Sequence, residues 1–525
     1  MTTRIKTPHG MDRRRFMQVS AATGALAAGI GAGAFPGSAK AQERKRGGDL
    51  RVAKGHGQTT DTLDPGTYEN GFTIAMAYGY HGYLTGVAAD GSVEPQVAES
   101  WEASDDAKTW RFKLRNGVTF HSGKTVTAED VINSINYHRG EGSTSAAKPL
   151  VAAITNIKGE GDTVVFELEA GNADFPFTFT DYHIAILPTK DGDVDFRSMD
   201  GCGPYRMTNF EPGVSAIFER NEADWNQQRG WFDTIEMLSV VDLNARTTAL
   251  ISGDVHAIDK LDLKTIGLLA RNPNLKIASV AGNQHYTFAM HTNAAPFSDK
   301  NVRLALKHAI NREELVEKIL FGYGSVGNDH PIGRGQRYYN SEMEQTSYDP
   351  DKARYYLKQA GMDELTVELA AADAAYPGAV DAAVLYQASA APTGIDVQVK
   401  RMPNDGYWSD VWLKHPFCAV YWGGRPVEDA MFTTAYAQGA AWNDTNWNNG
   451  RFNELLIAAR AELDEAKRRE MYYEMQVLLN QDGGAIIPMF ANYVFATSPE
   501  VNTGDNLASN WDMDGERWME RWSMA

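Results

Sequence analysis

Cysteine is almost absent: only Cys202 and Cys418 occur in 525 residues. That excludes a disulfide framework and any Cys/His zinc cluster. The two could pair, but small buried thiols are the expectation. No glycine-rich phosphate loop, nucleophile elbow or His-x-x-x-His pair occurs, and the twelve histidines fall without ligand spacing. No metal or cofactor is therefore expected, and enzyme is the weaker class. Basic charge is also short, the formal net charge being −18. So acidic a chain repels nucleic acid and anionic membranes. Long apolar runs are missing too. The run from Val19 to Ala34 is short and weakly hydrophobic, which argues against a retained membrane anchor.

That run has a specific setting. Arg13-Arg14-Arg15-Phe16-Met17 precedes it, and Ala39-Lys40-Ala41 follows as a small-x-small cleavage site. Residues 1–41 read as an export signal of the twin-arginine type. No cysteine follows the cleavage site, so no lipid anchor is expected and the product should be a soluble periplasmic protein. Six basic residues leave with the signal against one acid, Asp12, so the remainder is more acidic still. A hydrophobic content of 43% over this length supports two or three domains with large cores.

Along the chain, Gly48–Ala53 reads as a short strand entering a polar, proline-bearing loop at Thr62–Pro65 and Tyr68–Asn70. Trp110–Leu114 alternates, Asn116-Gly117 turns, and Val118–His121 returns, which predicts a β-hairpin. Thr127 and Asp130 form a capping box before the apolar face Val131, Ile132 and Ile135. Thr163–Leu168 alternates as a strand, and Gly201–Pro204 is a tight turn into another. Gly253 stops a helix. Tyr286, Phe288 and Met290 alternate in a strand that could cross between two lobes. Val302, Ala305, Leu306, Ala309 and Ile310 share one helix face, and Asn311 with Glu314 restarts a helix. Asp349-Pro350 opens another, closed at Gly361. Leu365–Leu369, a helix over Val380–Ala390, and Ile395–Val399 make a βαβ unit with a parallel strand pair. Helices begin at Phe452 and after Asp464, the second ending at Gly483-Gly484. Ile486–Phe490 reads as a short buried strand.

The most informative stretch is Ala419–Phe432. An apolar strand ends in Tyr421-Trp422, stops at Gly423-Gly424, and turns through Arg425-Pro426. Glycines allow close approach, proline ends the ladder, and arginine supplies a planar fork beside a flat aromatic. This suits a polar anchor in an aromatic pocket. It equally suits a structural turn with Arg425 paired to Glu428 or Asp429.

The runs Pro95–Trp101, Leu114–Gly123 and Val126–Val131 closely resemble the most characteristic signature of the large solute-binding proteins of ABC importers, the family of dipeptide, oligopeptide and nickel binders. Gly203-Pro204-Tyr205, Ala295-Pro296-Phe297 with Val302–Ala305, and Tyr348–Ala353 resemble its later landmarks. The resemblance implies an α/β, two-lobed periplasmic-binding-protein fold of class II, with mixed sheets and an extra α+β subdomain. It implies lobe I from 42–84, 199–283 and 491–525, the inserted subdomain at 85–198, and lobe II at 284–490. It further implies capture of a peptide or peptide-like solute between the lobes and delivery to an ABC permease with its ATPase, by a monomer. In peptide binders of the family an aspartate that pairs with the peptide amine lies where Arg425 lies here. That reversal raises a non-peptide anionic solute (an opine, sugar acid or other carboxylate) as an alternative. An exported enzyme and a ligand-presenting sensor or chaperone are alternatives of other classes. The expected ligand contacts are Tyr68, Asn283, His285, Tyr407, Trp408, Trp422, Gly423, Gly424, Arg425, Asp429 and Trp442. Asp429 is a substitute amine partner, and Tyr68, Tyr407, Trp408 and Trp442 are aromatic walls.

Overall fold

A computed structural model describes residues 44–404, 407–425 and 427–525. The export signal at 1–41 and Pro426 of the strand-end turn lie outside the described residues. β1 (Asp49–Lys54) starts with alternating burial and ends wholly buried, at a lysine. α1 (Gly71–Tyr80) is capped by the Asn70 side chain and buried on every side. A helix apolar all round carries no 3.6-residue signal, which is why periodicity gives no sign of it.

The chain then builds a separate module. β2 (Ala98–Ala103), β3 (Thr109–Leu114), α2 (Ala128–Tyr137), β4 (Ile154–Glu160) and β5 (Thr163–Leu168) form an antiparallel sheet in the order β2-β3-β5-β4, with α2 against it. Phe112, Phe166, Phe175 and Phe179 interlock in its own core. The capping box forms as read, Thr127 and Asp130 each receiving the other's backbone N–H. The expected hairpin does not. β3 has β2 on one edge and β5 on the other, so no edge is free for Val118–His121. That segment instead closes on its own loop, with Val126 N–H donating to the Val118 carbonyl at 3.0 Å.

The main sheet begins at one edge with β6 (Tyr205–Glu211), β7 (Ser215–Arg220) and β8 (Thr234–Ser239), consecutive and antiparallel. α3 (Leu243–Ser252) ends at Gly253, φ 82°. β1 lies parallel between β8 and the short β9 (Ala257–Ile258). β10 (Lys276–Met290) is the long crossing strand.

There follow α4 (Lys300–His308), α5 (Arg312–Lys318), β11 (Gly324–Val326) and α6 (Pro350–Gln359). The βαβ unit stands as β12 (Leu365–Ala371), α7 (Ala379–Ala390) and β13 (Ile395–Arg401), the strands parallel. β14 (Phe417–Trp422), α8 (Glu428–Ala435), α9 (Gly450–Ala461) and α10 (Glu465–Asp482) lead to β15 (Ala485–Thr497). β15 spans 13 residues, not the short strand expected from Ile486–Phe490. Pro488 is tolerated because it sits where the β10–β15 register slips, between the Tyr286 and Phe288 pairings. The strands join in one mixed sheet, β6-β7-β8-β1-β9-β15-β10-β14-β12-β13, with β11 on β15. β10 and β15 are the long central pair. Lys276–Ala281 pair with Asn492–Thr497, and beyond a break at Gly282–Gln284 the pairing resumes from His285 with Phe490. Cys202 and Cys418 are both free and buried. Among the described residues no helix is long and apolar enough to cross a membrane.

Candidate functional site

β1 and β9 end at Lys54 and Ile258, and the residues just beyond, His56 and Lys260, reach the same cavity that β14 reaches with Tyr421, Gly423 and Gly424. The cavity has a volume of about 740 Å³ and takes its walls from widely separated stretches of the chain, 56–74, 243–264, 284–286, 318–321, 377–381, 421–424 and 491–516. Loops at the carboxyl ends of parallel strands are where α/β sheets open crevices for ligands.

One wall is charged. Lys54 is fully buried; its Nζ donates to both Glu516 oxygens at 2.8 Å and stands 3.1 Å from Asp259. Burial opposes that charge, but Asp259, Glu516 and Asp512 outweigh it and hold the ammonium above its ordinary pKa. Asp259 also accepts the Gly55 N–H at 2.6 Å, and Arg246 donates to the Val240 carbonyl at 2.7 Å beside it. Glu516 arrives on an unusual backbone: Met513, Asp514, Gly515 and Glu516 have φ of 42°, 61°, 71° and 58°. For L-residues other than glycine the left-handed region costs roughly 1–2 kcal/mol each. Asp514 holds the turn by accepting from Ala508 N–H at 2.7 Å, Arg521 at 2.9 Å and the Trp522 indole at 3.2 Å. The run sets Asp512 on the cavity. Burial, joined by the charge of Asp259, pushes its carboxyl up to about 6. Burial likewise lowers the Lys260 ammonium and brings His56 down to about 4.

Another wall is aromatic. Tyr286 stacks on Tyr376 at 4.0 Å, nearly parallel, and Tyr421 is its neighbour across the β10–β14 pair. Gly424 is required by packing: a Cβ there would stand 2.7 Å from Asn283 Cβ. Arg425 donates to the Gly423 and Gly424 carbonyls, both at 3.2 Å, and among the described residues no carboxylate pairs with it. The ion pair to Glu428 or Asp429 that the structural-turn alternative required is absent among the described residues. Glu428 is buried and accepts the Tyr338 N–H at 2.8 Å, while Asp429 accepts from Arg460 Nε at 3.1 Å. Both belong to the first turn of α8, which packs into lobe II. Burial lowers the Arg425 pKa against the opposing influence of Tyr182 and Tyr421.

The remaining expected contacts divide. Trp422 and Trp412 donate their indole N–H groups to one buried Asp444 oxygen at 3.1 and 3.3 Å, and burial pushes that carboxyl up to about 6. Trp442 closes on both rings and is 48% exposed; Trp408 lies 5.5 Å from Tyr421 and continues the row outward. Asn283 is buried beside Gly333 and Gly424, and its carbonyl faces His285 Nδ1 at 3.2 Å. His285 is fully buried against Phe490, behind the wall and not on it. Tyr68 and Tyr407 are corrections. Each is 1% exposed, with Tyr68 OH donating to the Leu63 carbonyl at 3.1 Å and Tyr407 OH to that of Ala419 at 2.8 Å. An aromatic ring with an internally satisfied hydroxyl serves the core. Asp429, held by Arg460, is not on the cavity either. Sequence reasoning missed His56, Lys260, Asp512 and Glu516. Their one signal is Lys54, an ionisable residue ending an apolar strand, because a buried lysine demands carboxylates from elsewhere. Among the described residues no three His, Cys, Asp or Glu side chains converge as a metal site.

Comparison with known proteins follows the same outline. The family model of bacterial extracellular solute-binding proteins, family 5 (middle), matches residues 92–444. The probable ABC transporter periplasmic-binding protein SapA of Escherichia coli is 25% identical over 430 residues, 74% of this chain and 77% of that protein. Di/tripeptide-binding protein 1 of Pseudomonas aeruginosa is 26% identical over 459 residues, 80% of this chain and 85% of that protein. Among solved structures, the ABC transporter-associated periplasmic binding protein DppA of Helicobacter pylori, in complex with the peptide STSA, superposes with a TM-score of 0.71. It is 22% identical, and the match covers 91% of this chain and 98% of that one.

Proposed function

Since this chain belongs to the family 5 bacterial extracellular solute-binding proteins, we propose that it is the periplasmic substrate-binding component of an ABC importer for peptides or peptide-like solutes. The lobes close over the solute, and the closed form is handed to a membrane permease with its ATPase. Closure by ligand requires greater affinity for the closed state than for the open one. The observation that carries the reading is the cavity of about 740 Å³ between the two lobes, within the size range of small-ligand sites. The roles of the relatives, a di/tripeptide binder among them, supply the ligand class. The protein works as a soluble monomer, exported by the twin-arginine route through residues 1–41. Its lobe I comprises 42–84, 199–283 and 491–525, its module 85–198 and its lobe II 284–490. The solute contacts Trp408, Trp442, Gly423 and Gly424, and Arg425 takes an acidic group of it.

Native mass spectrometry of protein purified from its source, with X-ray scattering before and after ligand removal, tests the reading. Retained peptide and a particle that expands when stripped are expected; retention of a non-peptide solute overturns the peptide assignment. Calorimetry of Arg425→Ala should show about tenfold weaker binding of an acidic peptide. Unchanged affinity removes Arg425 from the site.

A further inference from the structure

The charged wall contains two groups, Asp512 and Lys260, that have no ion-pair partner among the described residues. Glu516 and Asp259 are committed to Lys54, and Arg246 to backbone carbonyls. Asp512, half-buried on the cavity, receives only the Met513 N–H at 2.8 Å, on Oδ1. Among the described residues no cation stands within ion-pair distance of it, although Lys54 and Lys260 act on its charge from further off.

The second group is Lys260, whose Nζ lies against His56 Nε2. His56 Nδ1 already accepts the Gly71 N–H at 3.0 Å. A backbone N–H can only donate, so the neutral imidazole carries its proton on Nε2. That proton points at an ammonium, donor against donor. An oxygen that accepts from both resolves the arrangement, and no described carboxylate supplies one within ion-pair distance of Lys260. A ligand carboxylate does. It would sit on the same wall as Asp512.

We propose that lobe I reads the charged head of the solute, Asp512 receiving its ammonium and Lys260 with His56 receiving its carboxylate. The ligand class is then a small zwitterion with both terminal groups free, and lobe II holds the rest of it, its body against Tyr286 and Tyr421 and any acidic side chain at Arg425. This rests on the reading of the cleft as a peptide site and adds which residues read the two charges.

The test uses the full-length protein and three equimolar tripeptide libraries: free, N-acetylated and C-amidated. Binding is measured by calorimetry and native mass spectrometry. The wild type should favour the free library over each capped one by about tenfold or more, the loss of one ion pair. Asp512→Asn should abolish discrimination against the acetylated library only, and Lys260→Met against the amidated library only. A general loss of stability lowers all three affinities together, so the ratios separate reading from folding. If the wild type binds capped and free libraries equally, or the variants keep the wild-type ratios, the proposal fails and the peptide reading stands. If no library binds, both fail.

Discussion

At one wall of the cavity Lys54, Arg246, Asp259 and Glu516 are buried together, whereas at another Tyr286 and Tyr421 line it, with Tyr376 stacked on Tyr286. The first wall is fixed by charges that satisfy one another across three distant segments. The second is fixed by strand pairing and by the absence of a side chain at Gly424. A charged wall tolerates little, because removing one partner strands the others in low dielectric. An aromatic wall loses shape first and stability second.

Lys54→Met breaks the charged wall most severely. It leaves Glu516 and Asp259 without their cation and should cost about 3–5 kcal/mol. Urea denaturation at pH 7 measures it, and a loss below 1 kcal/mol would mean that the cluster does not hold lobe I together. Glu428 sharpens the comparison, since lobe II buries this carboxylate with no ion-pair partner among the described residues. Burial pushes its pKa up to about 7, against about 4.3 in the unfolded chain. The unfolded state therefore releases its proton first. The contribution of neutral Glu428 is complete below about pH 4, declines as pH rises, and levels off above 7. Glu428→Gln should remove that decline and raise stability at pH 8 by on the order of 2–3 kcal/mol. Parallel melting curves for both proteins from pH 5 to 8 would contradict it. Gly424→Ala is the mildest. Its Cβ would press on Asn283 Cβ at 2.7 Å and displace the strand end. A loss of about 1–2 kcal/mol is expected, with peptide affinity reduced further than stability; equal affinity would show that the wall can yield.

Much of lobe II was legible because its elements are local. The α6 cap at Asp349-Pro350, the βαβ unit and the α10 cap at Asp464 each rest on residues a few positions apart. α1 was illegible because uniform burial leaves no polar stripe. The hairpin failed because a strand cannot show that both its edges are taken. In the site, the Gly423-Gly424 turn was visible as an interrupted strand. Tyr68 and Tyr407 were misplaced because an aromatic residue reads alike in a core and on a wall.

The sequence by itself determined the mixed α/β architecture, the caps and glycine stops, and the strand end at Trp422 where lobe II meets the cleft, since these depend on side-chain period and on φ. Only the tertiary structure decided that Arg425 is free of Glu428 and Asp429. It alone brought Lys54, Asp259 and Glu516 into one buried cluster from opposite ends of the chain. Coulomb interactions act across space without regard to sequence separation, and no local pattern records which distant charge will be near.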